Sequence, residues 1–493
     1  MKKILYGSLI LSILQSILFW HKSPGISVLL FIMPTLFVIL YNLKENKMIK
    51  NKKSILWIIP TILLSLTYFI FNNELFQIFN IPVIFGLIII MCIKITGRDI
   101  SENRFIRNII KKIFKPIGLL FRFISDFEMD EFLEKQKVNQ SEKIKTIKKV
   151  GKSLLICIPI VLVIIALLSS ADSVFGDLFS NVTEIISKIF ENDSFSEIIA
   201  RIILIVIYFV YIACFIISFI KEDEDNNQIK DNKINFNSLT AKMIFISLNI
   251  IYLIFSVIQF KYLFINAGKT ADFDYATYAR TGFFQLMFVS FINLALLKIT
   301  RKNRDEFIKI LKALLIIFTI IIVISAIFRM HLYEQEYGFT YLRIFVYFIL
   351  ITEILILVPM LINIYGIFGQ KFNIFDISIK IIISMYIILN FINIDYIIAS
   401  NNINKYLEDP QNNRFDYYYI INHTGTDAIE EKIKLFNADT EGLNFAKKEY
   451  MNRIKESIKN NLKHYQKLYE DIDWQEWNLS KFKAYNLLKD INL

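Results

Sequence analysis

The chain of 493 residues is 55% hydrophobic, holds 14 glycines and 8 prolines, and carries a formal net charge of +11. Its mean hydropathy of +0.47 excludes the soluble globular class. The cysteines Cys92, Cys157 and Cys214 each fall in an apolar run, and the histidines His21, His331, His423 and His464 are scattered, so the spacing offers neither a disulfide framework nor a metal site.

In chain order, Met1-Lys2-Lys3 precede the first apolar run, Ile4–Phe19. A small-residue cleavage site is missing and a second run, Ile26–Tyr41, follows at once, so the first run reads as an uncleaved helix. The loop Asn42–Lys53 carries Lys44, Lys47, Lys50, Lys52 and Lys53, and a short loop this basic belongs in the cytoplasm. Ile55–Phe71 and Leu75–Ile95, joined by the lysine-free turn Asn72–Glu74, complete an N-terminal four-helix membrane segment, residues 1–96. Each run is long enough to cross a hydrocarbon core about 30 Å thick.

Residues 97–152 form a basic cytoplasmic loop. Within it, Asn103–Phe123 alternates Arg104, Arg107, Lys111, Lys112, Lys115 and Arg122 with Ile, Leu and Phe. Such a helix either lies on the inner leaflet with its cations toward anionic headgroups or packs against the cytoplasmic ends of the spans. Asp126–Lys149 is highly charged and reads as a solvated helix or linker.

A seven-helix membrane core follows in residues 153–400, with spans at Leu154–Leu168, Ile198–Ile220, Met243–Phe264, Phe283–Leu297, Ile308–Phe328, Ile344–Tyr365 and Ile377–Ile398. Asp177–Ser196 reads as an amphipathic outer segment, while Lys221–Asn237 and the basic turn Lys298–Arg304 face the cytoplasm. The expected fold is therefore all-α: a polytopic transmembrane bundle of about 11 spans in the plasma membrane, with the N-terminus cytoplasmic. Lysine-rich turns alternate as this topology requires, so the net charge calls for no nucleic-acid partner; the partner is the bilayer. Residues 401–493 are hydrophilic, with helical spacing over Asp427–Phe436, Gly442–Tyr469 and Asn478–Leu488. Odd span parity makes them a small extracytoplasmic helical domain.

Three arginines break the charge rule, because Arg280, Arg329 and Arg343 all fall at predicted outer span ends. Tyr278, Tyr333 and Tyr337 accompany them, and Asp172, Asp272, Asp274, Glu334, Glu336 and Asp395 are candidate counter-ions on the same side. Two readings compete. The arginines either pair with carboxylates and tyrosine hydroxyls to knit helix ends together, or keep their guanidinium forks for an anionic lipid or envelope precursor. Glu353 lies ten residues beyond Arg343, about 15 Å along a helix and close to the bilayer midplane, where an acid is a functional candidate. It reads either as a proton-coupled site or as a protonated carboxyl bonded to a neighbouring helix. Asn293, Asn390 and Asn393 read as interhelical hydrogen-bond partners.

The runs Tyr278-Ala279-Arg280-x-Gly282-Phe283-Phe284-Gln285-Leu286, Ser170-Ala171-Asp172-x-Val174-Phe175, Arg329-Met330-x-Leu332-Tyr333 with Tyr337-Gly338-x-Thr340-x-Leu342-Arg343, and Asp473-Trp474-x-x-Trp477-Asn478-Leu479-Ser480 resemble a bacterial multi-spanning membrane family, domain of unknown function forty-one seventy-three. The similarity covers Leu154–Leu488, and Ile394 stands where that pattern has proline. The resemblance implies a membrane protein whose distinctive residues sit on one side. It implies no substrate, cofactor or catalytic residue.

No phosphate-binding glycine loop, paired-histidine metal motif or nucleophile-elbow serine appears, so no cofactor or metal is expected and the enzyme reading is the weaker one. The leading expectation is an envelope membrane protein that binds, senses or translocates an anionic ligand at the arginine cluster. Its rivals are a proton-coupled transporter using Glu353, an outer-leaflet enzyme using Asp172, Asp272 or Asp274, and a membrane scaffold.

Overall fold

The computed structural model describes residues 2–97, 108–116, 193–220, 237–259, 283–300, 305–365, 373–410, 415–440 and 443–491. Every regular element among them is helical. Nine helices are long and apolar enough to cross a membrane, and a shorter apolar helix covers Phe284–Ile299. These ten correspond to ten of the expected spans; the remaining one, Leu154–Leu168, lies outside the described residues, as do Asp126–Lys149 and residues 177–192. The chain divides into two compact units, residues 1–65 with 82–226 and residues 66–81 with 227–493.

The first unit holds α1 (Lys2–Phe19), α2 (Ile26–Glu45) and α5 (Asp193–Ile220), with parts of α3 (Ile58–Ile70) and α4 (Glu74–Ile95). In this unit α1 packs against α2 and α5. Polar groups tie these helices: Arg201 Nε donates to Ser16 Oγ at 2.7 Å, and Trp20 Nε1 to Glu197 Oε1 at 2.9 Å. In apolar surroundings such bonds and close packing replace the hydrophobic drive that lipid tails do not supply. Residues 108–116 are helical within the expected amphipathic stretch. Their Lys112 is buried, donates to the Ser218 carbonyl at 2.9 Å and lies over the Phe219 ring, which is the packed arrangement for this lysine.

The second unit is built around α8 (Glu306–Tyr337), which packs against α6 (Ser238–Gln259), α7 (Phe283–Ile299) and α9 (Tyr341–Ile364), while α10 (Ile374–Phe391) packs on α9. Phe245, Leu315, Ile316, Ala326, Met330, Leu350 and Leu357 fill the core of this bundle. Asp305 starts α8 by accepting the Phe307 amide, and Gly338, at φ +72°, ends it.

Two expected span ends are corrected. The helix expected to stop at Phe328 continues to Tyr337, so Arg329, Tyr333 and Tyr337 lie on a helix face at four-residue spacing and not in a loop. The span expected to end at Ile398 stops at Phe391. Ile392 is extended, and the Asn393 side chain accepts the Tyr396 amide to begin a new helix, α11 (Ile394–Glu408). A capping asparagine offers its backbone neighbours an alternative to the i−4 ladder, which the apolar pattern does not reveal.

Beyond it come α12 (Tyr418–His423), a 3-10 turn (Thr426–Ala428), α13 (Ile429–Asn437), α14 (Phe445–Leu468), a 3-10 turn (Trp474–Glu476) and α15 (Leu479–Leu488). They share one hydrophobic cluster that includes Ile403, Ile420, Leu435, Leu462 and Leu488. On α14 the buried positions Met451, Ile454, Ile458 and Leu462 follow the helical period. The expected helices match α13, α14 and α15 to within a few residues, whereas α11 and α12 were not foreseen as separate helices.

Candidate functional site

A stripe of polar side chains runs through the apolar bundle of the second unit. On α6, Asn249, Tyr252, Ser256 and Gln259 recur at i, i+3, i+7 and i+10, so they share one face. Asn249 Nδ2 donates to the Leu311 carbonyl at 2.9 Å. Tyr252 donates to Asn293 Oδ1 at 2.8 Å, and Asn293 Nδ2 donates to Thr319 Oγ1 at 2.9 Å. Ser325 donates to Gln259 Oε1 at 2.7 Å, and Arg329 Nη2 donates to the same oxygen at 3.0 Å. Three helices thus contribute to one polar seam, and α9 adds a fourth.

Glu353 sits in this seam, 2% exposed, midway along the 24-residue helix α9. Its Oε2 lies 2.8 Å from Ser290 Oγ, and the same hydroxyl lies 2.7 Å from the Met287 carbonyl. A serine has one hydrogen and two lone pairs. It therefore serves either state of the acid: it donates to an ionised Glu353, or it turns to Met287 and accepts from a protonated one. Glu353 Oε1, together with Asn249 Oδ1, Ser256 Oγ and Tyr347 Oη, has no hydrogen-bond partner among the described residues. Each such orphan costs about 1–3 kcal/mol. Those of Asn249, Ser256 and Glu353 lie along the seam and mark a place where stability is given up.

The arginines occupy more committed positions. Arg343 Nη1 donates to the Tyr337 carbonyl at 2.8 Å and to the Gly338 carbonyl, and its guanidinium lies 4.3 Å from the centre of the Tyr333 ring. It thereby caps the end of α8, where unpaired carbonyls concentrate negative partial charge. The rings of Tyr333 and Tyr337 are 4.9 Å apart. Glu334 accepts from Lys405 at 3.2 Å and lies 3.3 Å from His331, so its expected pairing with an arginine is replaced by a lysine. Arg329 is buried beside Gln259. Arg280, Tyr278, Asp172, Asp272 and Asp274 lie outside the described residues.

Asp395 was a candidate counter-ion for arginine; it stands instead at the base of α11, against the Tyr341 hydroxyl. The tip of the α3–α4 hairpin meets the C-terminal helices here. The Asn72 amide donates to Asp427 Oδ2 at 3.1 Å, Asn72 Nδ2 to Thr426 Oγ1 at 2.7 Å, and Asn478 Nδ2 to Asn72 Oδ1 at 3.2 Å. Ser480 bonds Asp427 and the Ile70 carbonyl, and Trp477 lies 5.3 Å from Phe69. Asn73 bonds the same Tyr341 hydroxyl. Lys432, fully buried, donates to the Thr424 carbonyl at 2.8 Å and to Asn461 Oδ1 at 3.0 Å. Burial pushes the Asp395 carboxyl up to about 7 and the Asp427 carboxyl above its ordinary range, and it draws the Lys432 ammonium down to about 8. Asp427, Lys432 and Asn72 were missed from sequence. The signal was the run Trp477-Asn478-Leu479-Ser480, whose residues bond the hairpin tip.

Nine membrane-length helices among the described residues, with an acid and several amides buried in the bundle, define a multi-pass α-helical integral membrane protein. The family model described as Domain of unknown function (DUF4153) matches residues 58–435, and the chain belongs to this family. The match begins earlier than the resemblance drawn from the motifs, taking in the third and fourth spans, and ends before Asp473–Ser480. Comparison with curated proteins and with solved structures returned no match.

Proposed function

We propose that this membrane protein moves or senses protons through the seam centred on Glu353. The observation that carries the reading is Glu353 itself: mid-span, sealed from solvent, with one oxygen on a serine that fits both protonation states and the other unpartnered among the described residues. An acid inside a membrane helix is costly and marks ion pathways and proton relays. The orphaned oxygens of Asn249, Ser256 and Tyr347 extend along the same helices and supply polar stations on either side of it.

The wider frame of this reading is a plasma-membrane protein of about 11 spans with its N-terminus in the cytoplasm. In that frame the hairpin tip, the α8–α9 turn and the C-terminal helices face outward, because the lysine-rich loop Asn42–Lys53 belongs inside. The test is proton flux in vesicles reconstituted with the full chain and loaded with a pH-sensitive dye. Under an imposed pH difference the wild type equilibrates faster than empty vesicles, and Glu353→Gln falls to the empty-vesicle rate. Equal rates for wild type and variant remove Glu353 from the mechanism.

A second reading keeps an anionic lipid or envelope precursor at Arg280, Arg329 and Arg343. Its support is the shared end of the bundle on which Arg329 and Arg343 stand near Tyr333. Against it, Arg343 already spends donors on two carbonyls and its face on a ring. Binding of anionic-lipid vesicles or of a lipid-linked precursor that is unchanged in Arg329→Gln and Arg343→Gln variants would remove it.

A further inference from the structure

The C-terminal helices hold the α3–α4 hairpin tip through a joint that is charged and largely buried. Asp395, 1% exposed, and Lys432, 0%, are closed inside it, and Asp427, half-buried, lies between Ser480 and the Asn72 amide. Asp395 faces Tyr341 of α9, Tyr419 of α12, the Gly425 amide and Asp427 of the 3-10 turn, Lys432 of α13 and Tyr465 of α14. Asp427 faces Ser480 and Lys483 of α15, Tyr469 just past α14 and the Asn72 amide. The cations that face them are Lys432, whose ammonium bonds the Thr424 carbonyl and Asn461, and Lys483, which is exposed, so each carboxylate is desolvated more than it is paired. A proton on either carboxyl relieves that cost.

We propose that this joint is a proton-operated latch: the shared proton on Asp395 and Asp427 keeps the C-terminal helices seated on the hairpin tip, and its loss releases them. The geometry is that of a latch because most of the bonds across the joint converge on a single residue. Asn72 receives or gives bonds to Asp427, Thr426, Tyr469 and Asn478, and neighbouring Asn73 reaches Tyr341. Losing the Asp427 and Tyr341 contacts leaves the tip on the bonds of Asn72 to Thr426 and Asn478 and of Ser480 to the Ile70 carbonyl, a weakened seat from which it can lift.

The direction of the pH response follows from burial. Both carboxyls are held above their ordinary value of 3.8, so the seated joint keeps protons that the released chain gives up. Seating weakens as pH climbs from that value towards about 7, by up to about tenfold in the opening constant per pH unit and titrating group. Lys432 is held below 10.5, so from about 8 upward the released lysine keeps a proton that the seated one has lost, and rising pH favours seating again. The latch is weakest between about 7 and about 8 and tightens on acidification.

This latch stands independently of the Glu353 reading. It is tested by hydrogen–deuterium exchange of the full chain in lipid nanodiscs at about pH 5.5 and about pH 7.5, with rates corrected for intrinsic exchange. The peptides carrying Asn72, Gly425–Asp427 and Asn478–Ser480 are expected to exchange on the order of tenfold or more faster at the higher pH, while α8 is unchanged. Asp395→Asn, an isosteric change that keeps one site permanently neutral, is expected to protect these peptides at both pH values. Asp427→Asn serves the same purpose if the first variant does not fold. Equal protection of the wild-type joint at both pH values overturns the proposal, and so does an Asn variant that retains the full pH dependence.

Discussion

Gly338 shows how much a single atom decides at the α8–α9 turn. Its φ of +72° is a conformation that side-chain-bearing residues adopt at a cost, and a Cβ there would stand 2.2 Å from Asn402 Oδ1 and 2.7 Å from the Phe415 ring. That Asn402 oxygen already accepts the Phe339 amide at 2.8 Å, so it has little freedom to retreat. Gly338→Ala is therefore expected to lose about 2–3 kcal/mol, read as a lower midpoint in urea unfolding of the detergent-solubilised protein. Arg343 caps the same turn from the other side. Arg343→Lys keeps the charge but loses the planar fork and the stacking on Tyr333, and should cost about 1–2 kcal/mol in the same measurement. A variant as stable as wild type would show that this arginine is held for another purpose. The sequence pattern singled out Gly338, Arg343 and Tyr333 together and left the arginine either to acid and tyrosine partners or to a ligand. The carbonyls that it bonds leave no trace in residue identity.

At the scale of elements, apolar runs located every described span, with two ends, Phe328 and Ile398, misplaced by nine and seven residues, because length and hydropathy alone determine whether a helix can cross. What they missed were polar interruptions. The break between α10 and α11 rests on the Asn393 cap, and the apolar residues Ile392, Ile394, Ile397 and Ile398 run straight through it. The break explains the departure at Ile394, which occupies the first position of α11, where proline is favoured because its missing N–H has no helical partner. Ile394→Pro should leave folding intact, with a loss below about 1 kcal/mol beyond the isoleucine's packing, whereas Ile397→Pro should cost about 3 kcal/mol or more. Circular dichroism melts of the two variants check this, and equal damage would contradict the assigned start of α11. The stripe on α6 was likewise hidden, since Asn249, Tyr252, Ser256 and Gln259 are too few to disturb its hydropathy. Only the neighbouring helices show that they share a seam with Glu353.

Across the whole molecule, charge and hydropathy make the class plain: basic loops alternate with lysine-poor turns, and nine described helices reach membrane length. The depth of Glu353 was also legible, because rise per residue converts position into distance. The company it keeps was not, since Ser290, Asn293, Thr319 and Tyr252 come from three other helices whose packing no local pattern specifies. The hairpin joint was the least legible part of all, assembled from residues as far apart as Asn72 and Asn478.

The direct test of the proton role of Glu353 is infrared difference spectroscopy of the reconstituted protein, titrated between about pH 5 and about pH 9. The account predicts a carboxylic-acid carbonyl band that disappears as pH rises, is missing in Glu353→Gln, and shifts in Ser290→Ala because the serine bonds the acid in both states. A wild-type spectrum with no titrating band that Glu353→Gln removes would contradict it.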